Sequence, residues 1–182
     1  MVEELPIVTI TGVTGFVGSW TALLCLKSGK YRVRGTVRST SNAAKIDPLR
    51  QSFGEFFDQL ELVEADLTNA DSIDRAIQGS TYVLHLASPL TLIEPRDEME
   101  LIRPAVEGAL SVMRACAKHG VQRVAMTSSV ASIVQMPHDQ RPEVFNETYW
   151  SDPNWAKIPA YEKSKTMAEL EAWKYVNALP ED

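Results

Sequence analysis

Eight residues constrain the fold of this chain more than any others: Thr11-Gly12-Val13-Thr14-Gly15-Phe16-Val17-Gly18. They follow an apolar, β-branched run, Ile7-Val8-Thr9-Ile10, and open the segment Phe16–Leu26. Strand, glycine turn and helix in that order form the context in which such a loop cradles dinucleotide phosphates. Gly12 permits the tight turn, Gly15 lets backbone N–H groups approach a pyrophosphate, and Gly18 allows close helix–strand contact. The helix N-terminus adds unpaired N–H donors and a partial positive charge.

The rest of the chain alternates strand and helix. Ile7–Thr11 reads as a strand buried on both faces. The helix after it repeats apolar groups at Phe16, Trp20, Leu23 and Leu24 as one face at helical spacing, and Gly29 ends it. Strands are expected at Tyr31–Val37, Leu60–Val63, Thr81–Leu86 and Val121–Thr127. Helices are expected at Asn42–Phe53 (interrupted by Pro48), Ala70–Ile77 and Glu98–His119, where Pro104 should mark a kink or a fresh start. A last helix covers Tyr161–Leu179. This alternation implies right-handed βαβ units and an α/β, doubly wound parallel sheet between two helix layers. Val130–Ala160 breaks the rhythm, with four prolines and no periodicity. A loop that long inside a compact domain is usually functional.

Bulk properties exclude several classes. A length of 182 residues suits one domain with a real core. The net charge of −6, without a basic stripe, argues against a nucleic-acid partner. No run reaches the roughly 18 apolar residues of a membrane span. Met1-Val2-Glu3-Glu4 is acidic and lacks an apolar signal core, so a cytoplasmic location is expected. Cys25 and Cys116 sit beside apolar neighbours and read as buried free thiols in a reducing compartment. His85 reads as a core or strand-end histidine. No further His, Cys or acid stands at metal-ligand spacing, so no metal is expected. Nucleophile-elbow sequences are absent.

Other residues could carry chemistry. Tyr161 and Lys165 lie four apart, on one face of a helix. A nearby ammonium stabilises a phenolate and makes proton exchange with a carbonyl oxygen feasible. Ser128 and Ser129 close the fifth strand at its carboxyl end, where open parallel sheets bind ligands. A hydroxyl there could polarise a carbonyl, or simply cap the strand. Arg38 ends the second strand, and no Asp or Glu occurs from Tyr31 through Ile46. An arginine there suits a ribose 2′-phosphate, with Lys45 as a second positive charge, which favours NADP over NAD. Asp66, after the third strand, could accept a hydrogen bond from adenine or serve a turn.

The glycine loop, Asp66-Leu67, His85-Leu86-Ala87-Ser88-Pro89, Thr127-Ser128-Ser129 and Tyr161 with Lys165 together resemble the extended short-chain dehydrogenase/reductase family. The similarity is to its branch of dihydroflavonol and cinnamoyl-CoA reductases and broader aldehyde and ketone reductases. The resemblance implies a Rossmann domain and an NADP(H)-dependent reduction of a small-molecule carbonyl. Tyr161 would donate the proton and, with Lys165, count among the cofactor-binding residues. Lys165 would assist it and hold the nicotinamide ribose, and Ser129, rather than Ser128, would polarise the carbonyl. Gly12, Gly15, Phe16, Val17 and Gly18 would line the pyrophosphate, with Arg38 and Lys45 on the 2′-phosphate. Asp66 and Leu67 would flank adenine, and Ala87 and Ser88 the nicotinamide.

Val134 stands where flavonoid reductases carry asparagine, and Pro159-Ala160 where cinnamoyl-CoA reductases carry Asn-Trp. A general aldehyde or ketone reductase therefore fits best. The family continues beyond the catalytic helix into a small substrate domain. Residues 1–182 are accordingly expected to be the cofactor domain alone, with turnover in doubt and an exposed sheet edge open to a partner such as a second copy. The alternatives are a truncated nucleotide-binding protein without catalysis, and an NAD-dependent epimerase, dehydratase or 3β-hydroxysteroid dehydrogenase-like enzyme.

Overall fold

The computed structural model describes residues 4–90, 93 and 95–180; the chain ends read above, Met1–Glu3 and Glu181–Asp182, lie outside the described residues. Two compact units emerge: residues 1–87 with 114–127, and residues 88–113 with 128–182.

The first unit is built on five parallel strands: β1 (Ile7–Thr11), β2 (Arg32–Val37), β3 (Leu60–Glu64), β4 (Tyr82–His85) and β5 (Arg123–Met126). Their spatial order is β3-β2-β1-β4-β5, so the chain reverses direction across the sheet between β1 and β4. That reversal makes the carboxyl ends of β1 and β4 the switch point of a Rossmann-type sheet. Val8 and Ile10 of β1 and Val33 and Val37 of β2 face a core shared with Leu23 and Leu26 of α1 (Phe16–Ser28). Ile46, Leu49 and Phe53 of α2 (Ala43–Phe53) complete it. Alternation sends the other side chains of β1 to the opposite face, where Thr9 Oγ1 meets Ser80 Oγ at 2.7 Å. Arg34 of β2 caps α3 (Ala70–Ile77), donating to the carbonyls of Ala76 and Gln78 at 2.9 and 2.8 Å.

Three expectations are corrected. The buried side of α1 consists of Gly18, Ala22, Leu23 and Leu26, while Phe16, Trp20 and Leu24 are 82%, 55% and 62% exposed. The helix is apolar almost all round, so spacing alone could not choose its face. Its small residues mark the contact, because they let the axis approach the sheet. Pro104 does not restart the next helix: α4 runs unbroken from Met99 to Lys118 with the proline inside it. Cys116 is buried, and burial pushes its thiol up to about 12, but Cys25 is only half-buried.

The second unit carries most of α4, a short helix α5 (Ala131–Val134) and α6 (Ala160–Asn177). The segment expected to be a plain loop, Val130–Ala160, thus contains α5 and a single 3₁₀ turn at His138–Gln140. Ser151 pins the return of this segment. Its hydroxyl donates to the Ala131 carbonyl at 2.7 Å and accepts from the Gln135 N–H at 2.7 Å, and it is 1% exposed.

Candidate functional site

The glycine loop departs from the end of β1 with Gly12 at φ +73°, a left-handed conformation that disfavours a side chain. Three packing constraints close the cradle. A Cβ on Gly12 would lie 3.1 Å from the Ala87 Cβ, and one on Gly15 would lie 3.3 Å from the Gly12 carbonyl oxygen. One on Gly18 would lie 2.3 Å from the same oxygen. The first two glycines thus keep the loop bare, and the third lets α1 close onto it. Gly15 occupies the N-cap of α1 without a side-chain cap, so no side chain of its own covers the first-turn N–H groups. Phe16 and Val17 stand exposed at that end. This is the geometry of a phosphate cradle.

Two buried threonines, not singled out in the sequence, hold it. Thr11 Oγ1 accepts from the N–H groups of Leu86 and Ala87 at 3.0 and 2.9 Å, and lies 2.8 Å from His85 Nδ1. Thr36 Oγ1 accepts from Gly12 N–H at 3.1 Å. His85 is 4% exposed, the strand-end histidine expected. Gly35 was also missed. A Cβ there would sit 2.7 Å from the Val13 methyls, so the glycine gives the loop's own valine its seat. A glycine inside a β-branched strand is the sequence signal for such close approach.

Arg38 follows β2 directly and is exposed, and Lys45 stands exposed in the first turn of α2. The turn between them is ordered by Glu64, whose Oε1 accepts from the Thr40 N–H at 2.7 Å and the Thr40 hydroxyl at 2.9 Å. Those bonds hold the Glu64 carboxyl below its ordinary value. Asp66 closes its own turn, Oδ1 accepting from the Thr68 hydroxyl at 2.7 Å and its N–H at 2.8 Å. The Thr68 bonds, then the nearby Arg38 charge, hold the Asp66 carboxyl low. Arg38 and Asp66 are therefore brought together. Leu67, next to Asp66, is half-buried.

The second unit holds the remaining residues. Ser88 is exposed just after β4. Ser129 Oγ accepts from the Ala131 N–H at 3.1 Å at the start of α5. Ser128 Oγ instead donates to the Glu169 carboxylate of α6. Tyr161 is half-buried in the first turn of α6, and Lys165 follows one turn later, 8% exposed. Burial pulls the Lys165 ammonium below its ordinary value, and the Glu169 charge opposes that shift. Lys163 is drawn into an ion pair with Glu98 at 2.7 Å.

Comparison with known proteins identifies the family and the fold. The model of the NAD dependent epimerase/dehydratase family matches residues 8–179. The chain belongs to that family. Dihydroflavonol 4-reductase of Zea mays is 40% identical over 179 residues, covering 95% of this chain and 49% of that protein. Tetraketide alpha-pyrone reductase 1 of Arabidopsis thaliana is 40% identical over 172 residues, covering 92% and 52% respectively. The crystal structure of Gre2 in complex with NADPH from Candida albicans superposes with a TM-score of 0.79 at 28% identity, over 96% of this chain and 54% of that one. The fold and the short-chain dehydrogenase/reductase resemblance are thereby borne out, and the chain spans about half the length of the curated relatives it matches. No described helix is long and apolar enough to cross a membrane, and no described cluster of His, Cys, Asp or Glu suits a metal ion.

Proposed function

We propose that this chain carries the cofactor half of an NADP(H)-dependent reductase that converts a small aldehyde or ketone to an alcohol. The observation that carries the reading is the bare, uncapped glycine cradle at the start of α1, followed at the end of β2 by Arg38 where an NAD site would place a carboxylate. Two of the relatives named above are reductases, and the Gre2 structure is a complex with NADPH.

Backbone N–H groups of the first turn of α1, Phe16–Gly18, suit a pyrophosphate, and the Arg38 guanidinium suits a 2′-phosphate, with Lys45 adding charge. Asp66 and Leu67 border the adenine, and Ala87 and Ser88 the nicotinamide. The cofactor, when bound, supplies the hydride. Tyr161 gives its phenolic proton to the carbonyl oxygen, and Lys165 supplies positive charge beside it and holds the ribose hydroxyls. Ser129 donates a hydrogen bond to the same oxygen as negative charge gathers there. Its Oγ already accepts from Ala131, which orients the hydroxyl and leaves its proton to give.

Val134 and Pro159-Ala160 argue against the specialised flavonoid and cinnamoyl substrates, leaving a general carbonyl compound as the substrate class. The test is NADPH consumption with a panel of aldehydes and ketones, comparing wild type with Tyr161→Phe. Turnover should vanish while cofactor affinity stays within about twofold, since the phenol oxygen is needed for the proton and not for holding phosphate. An active Tyr161→Phe protein removes the mechanism.

A further inference from the structure

The reaction just described gives no role to Glu169 of the second unit, although two side chains bond it. Glu169 of α6 accepts the Ser128 hydroxyl proton on Oε2, and Trp173 Nε1 lies 3.4 Å from its Oε1. Ser132 Oγ, fully buried on α5, stands 3.2 Å from Ser128 Oγ and completes the cluster. Lys165 lies one helical turn before Glu169, so the two share a helix face.

Two consequences follow from elementary chemistry. A serine has one hydroxyl proton, and that of Ser128 is spent on a carboxylate, a stronger acceptor than a neutral carbonyl. Of the two adjacent serines only Ser129 keeps a proton to donate. A lysine this buried also loses hydration that an anion at close range restores. The other titratable groups of α6 near Lys165 are Tyr161, one turn before it, Glu162, three residues before it, and Lys163, which is paired with Glu98; α5, packed on α6, consists of Ala131, Ser132, Ile133 and Val134, none titratable.

We propose that Glu169 is a positioning residue of the reductase site: it engages Ser128, leaving the donor role to Ser129, and provides a counter-charge to Lys165. The inference rests on the carbonyl-reduction reading for the roles of Ser129 and Lys165, but the carboxylate's coupling to Lys165 stands or falls separately.

The experiment is a lysine side-chain NMR titration of the full chain, with the Lys165 resonance assigned through Lys165→Arg. Glu169→Gln keeps the size of the side chain and removes its charge. The Lys165 midpoint should fall relative to wild type; an unchanged or raised midpoint overturns the proposal. A second measurement needs no variant. In the unmodified chain the Trp173 indole N–H resonance should shift as the Glu169 carboxylate is protonated, and a resonance flat through the acid range overturns the proposal as well. Retained activity in Tyr161→Phe would instead sink the reductase reading while leaving the Lys165 titration intact, so the two failures are distinguishable.

Discussion

At the residue scale the site is governed by atoms that are missing. Gly18 is the sharpest case, since a methyl there would sit 2.3 Å from a backbone oxygen that cannot swing away. Gly18→Ala should therefore destabilise the fold by about 2 kcal/mol or more, read as a lower urea midpoint, whereas Gly29→Ala meets no neighbour and pays only for its positive φ. The role proposed for Arg38 rests on its charge instead. Arg38→Ala should weaken NADPH binding by about tenfold to a hundredfold and leave NADH nearly unchanged, as measured by cofactor fluorescence titration. Equal losses for both cofactors would sink its assignment to the 2′-phosphate. Both residues were legible in the sequence because glycine and arginine carry their meaning in their chemistry and their place beside a strand. Thr11 and Thr36 were not: a threonine in a strand is ordinary, and only the folded sheet shows its hydroxyl turned to the loop backbone.

At the scale of elements, sequence reading worked where local chemistry decides. The expected span of α3, Ala70–Ile77, coincides with the observed one. Its N-cap is supplied locally, Asn69 accepting from the Ser72 N–H at 3.1 Å. It failed on the face of α1, which depends on what the helix packs against. That correction is measurable. Leu23→Ala should cost about 2–4 kcal/mol, whereas Leu24→Ala, next in sequence but 62% exposed, should stay within about 0.5 kcal/mol. The order of these two midpoints reports the rotation of the helix directly. The α3–α4 contact gives a pH dependence. Asp74 meets Lys118 Nζ at 2.8 Å and His119 Nε2 at 3.1 Å, and chiefly the Lys118 bond holds its carboxyl below the ordinary 3.8. A depressed carboxyl contributes stability that is complete above its unfolded value and lost as pH falls through the folded one. Asp74→Asn should thus lower stability near neutral pH, and the gap to wild type should close as pH falls below the ordinary 3.8, by denaturant midpoints.

At the scale of the whole molecule, the parallel, doubly wound sheet of five strands was readable because alternating strand and helix patterns admit few right-handed topologies, whereas the strand order β3-β2-β1-β4-β5 comes from the structure. The division into two units was not readable, since it follows from long-range packing such as the Ser151 tie between α5 and the returning chain. That division separates the proposed roles. The cradle, Arg38 and Asp66 belong to the first unit, while Ser129, Tyr161 and Lys165 belong to the second. Amide hydrogen exchange with and without NADPH can therefore distinguish a reductase from a nucleotide-binding protein without catalysis. The reductase reading requires slower exchange in residues 12–18 and also around Tyr161–Lys165, because Lys165 is assigned to the nicotinamide ribose. Bound ligand at about a hundred times its dissociation constant adds about 2.7 kcal/mol, or roughly a hundredfold in the exchange of amides that open only by global unfolding. Protection confined to the first unit, with α6 exchanging at its free rate, would leave the cradle as a nucleotide site and remove Tyr161 and Lys165 from it.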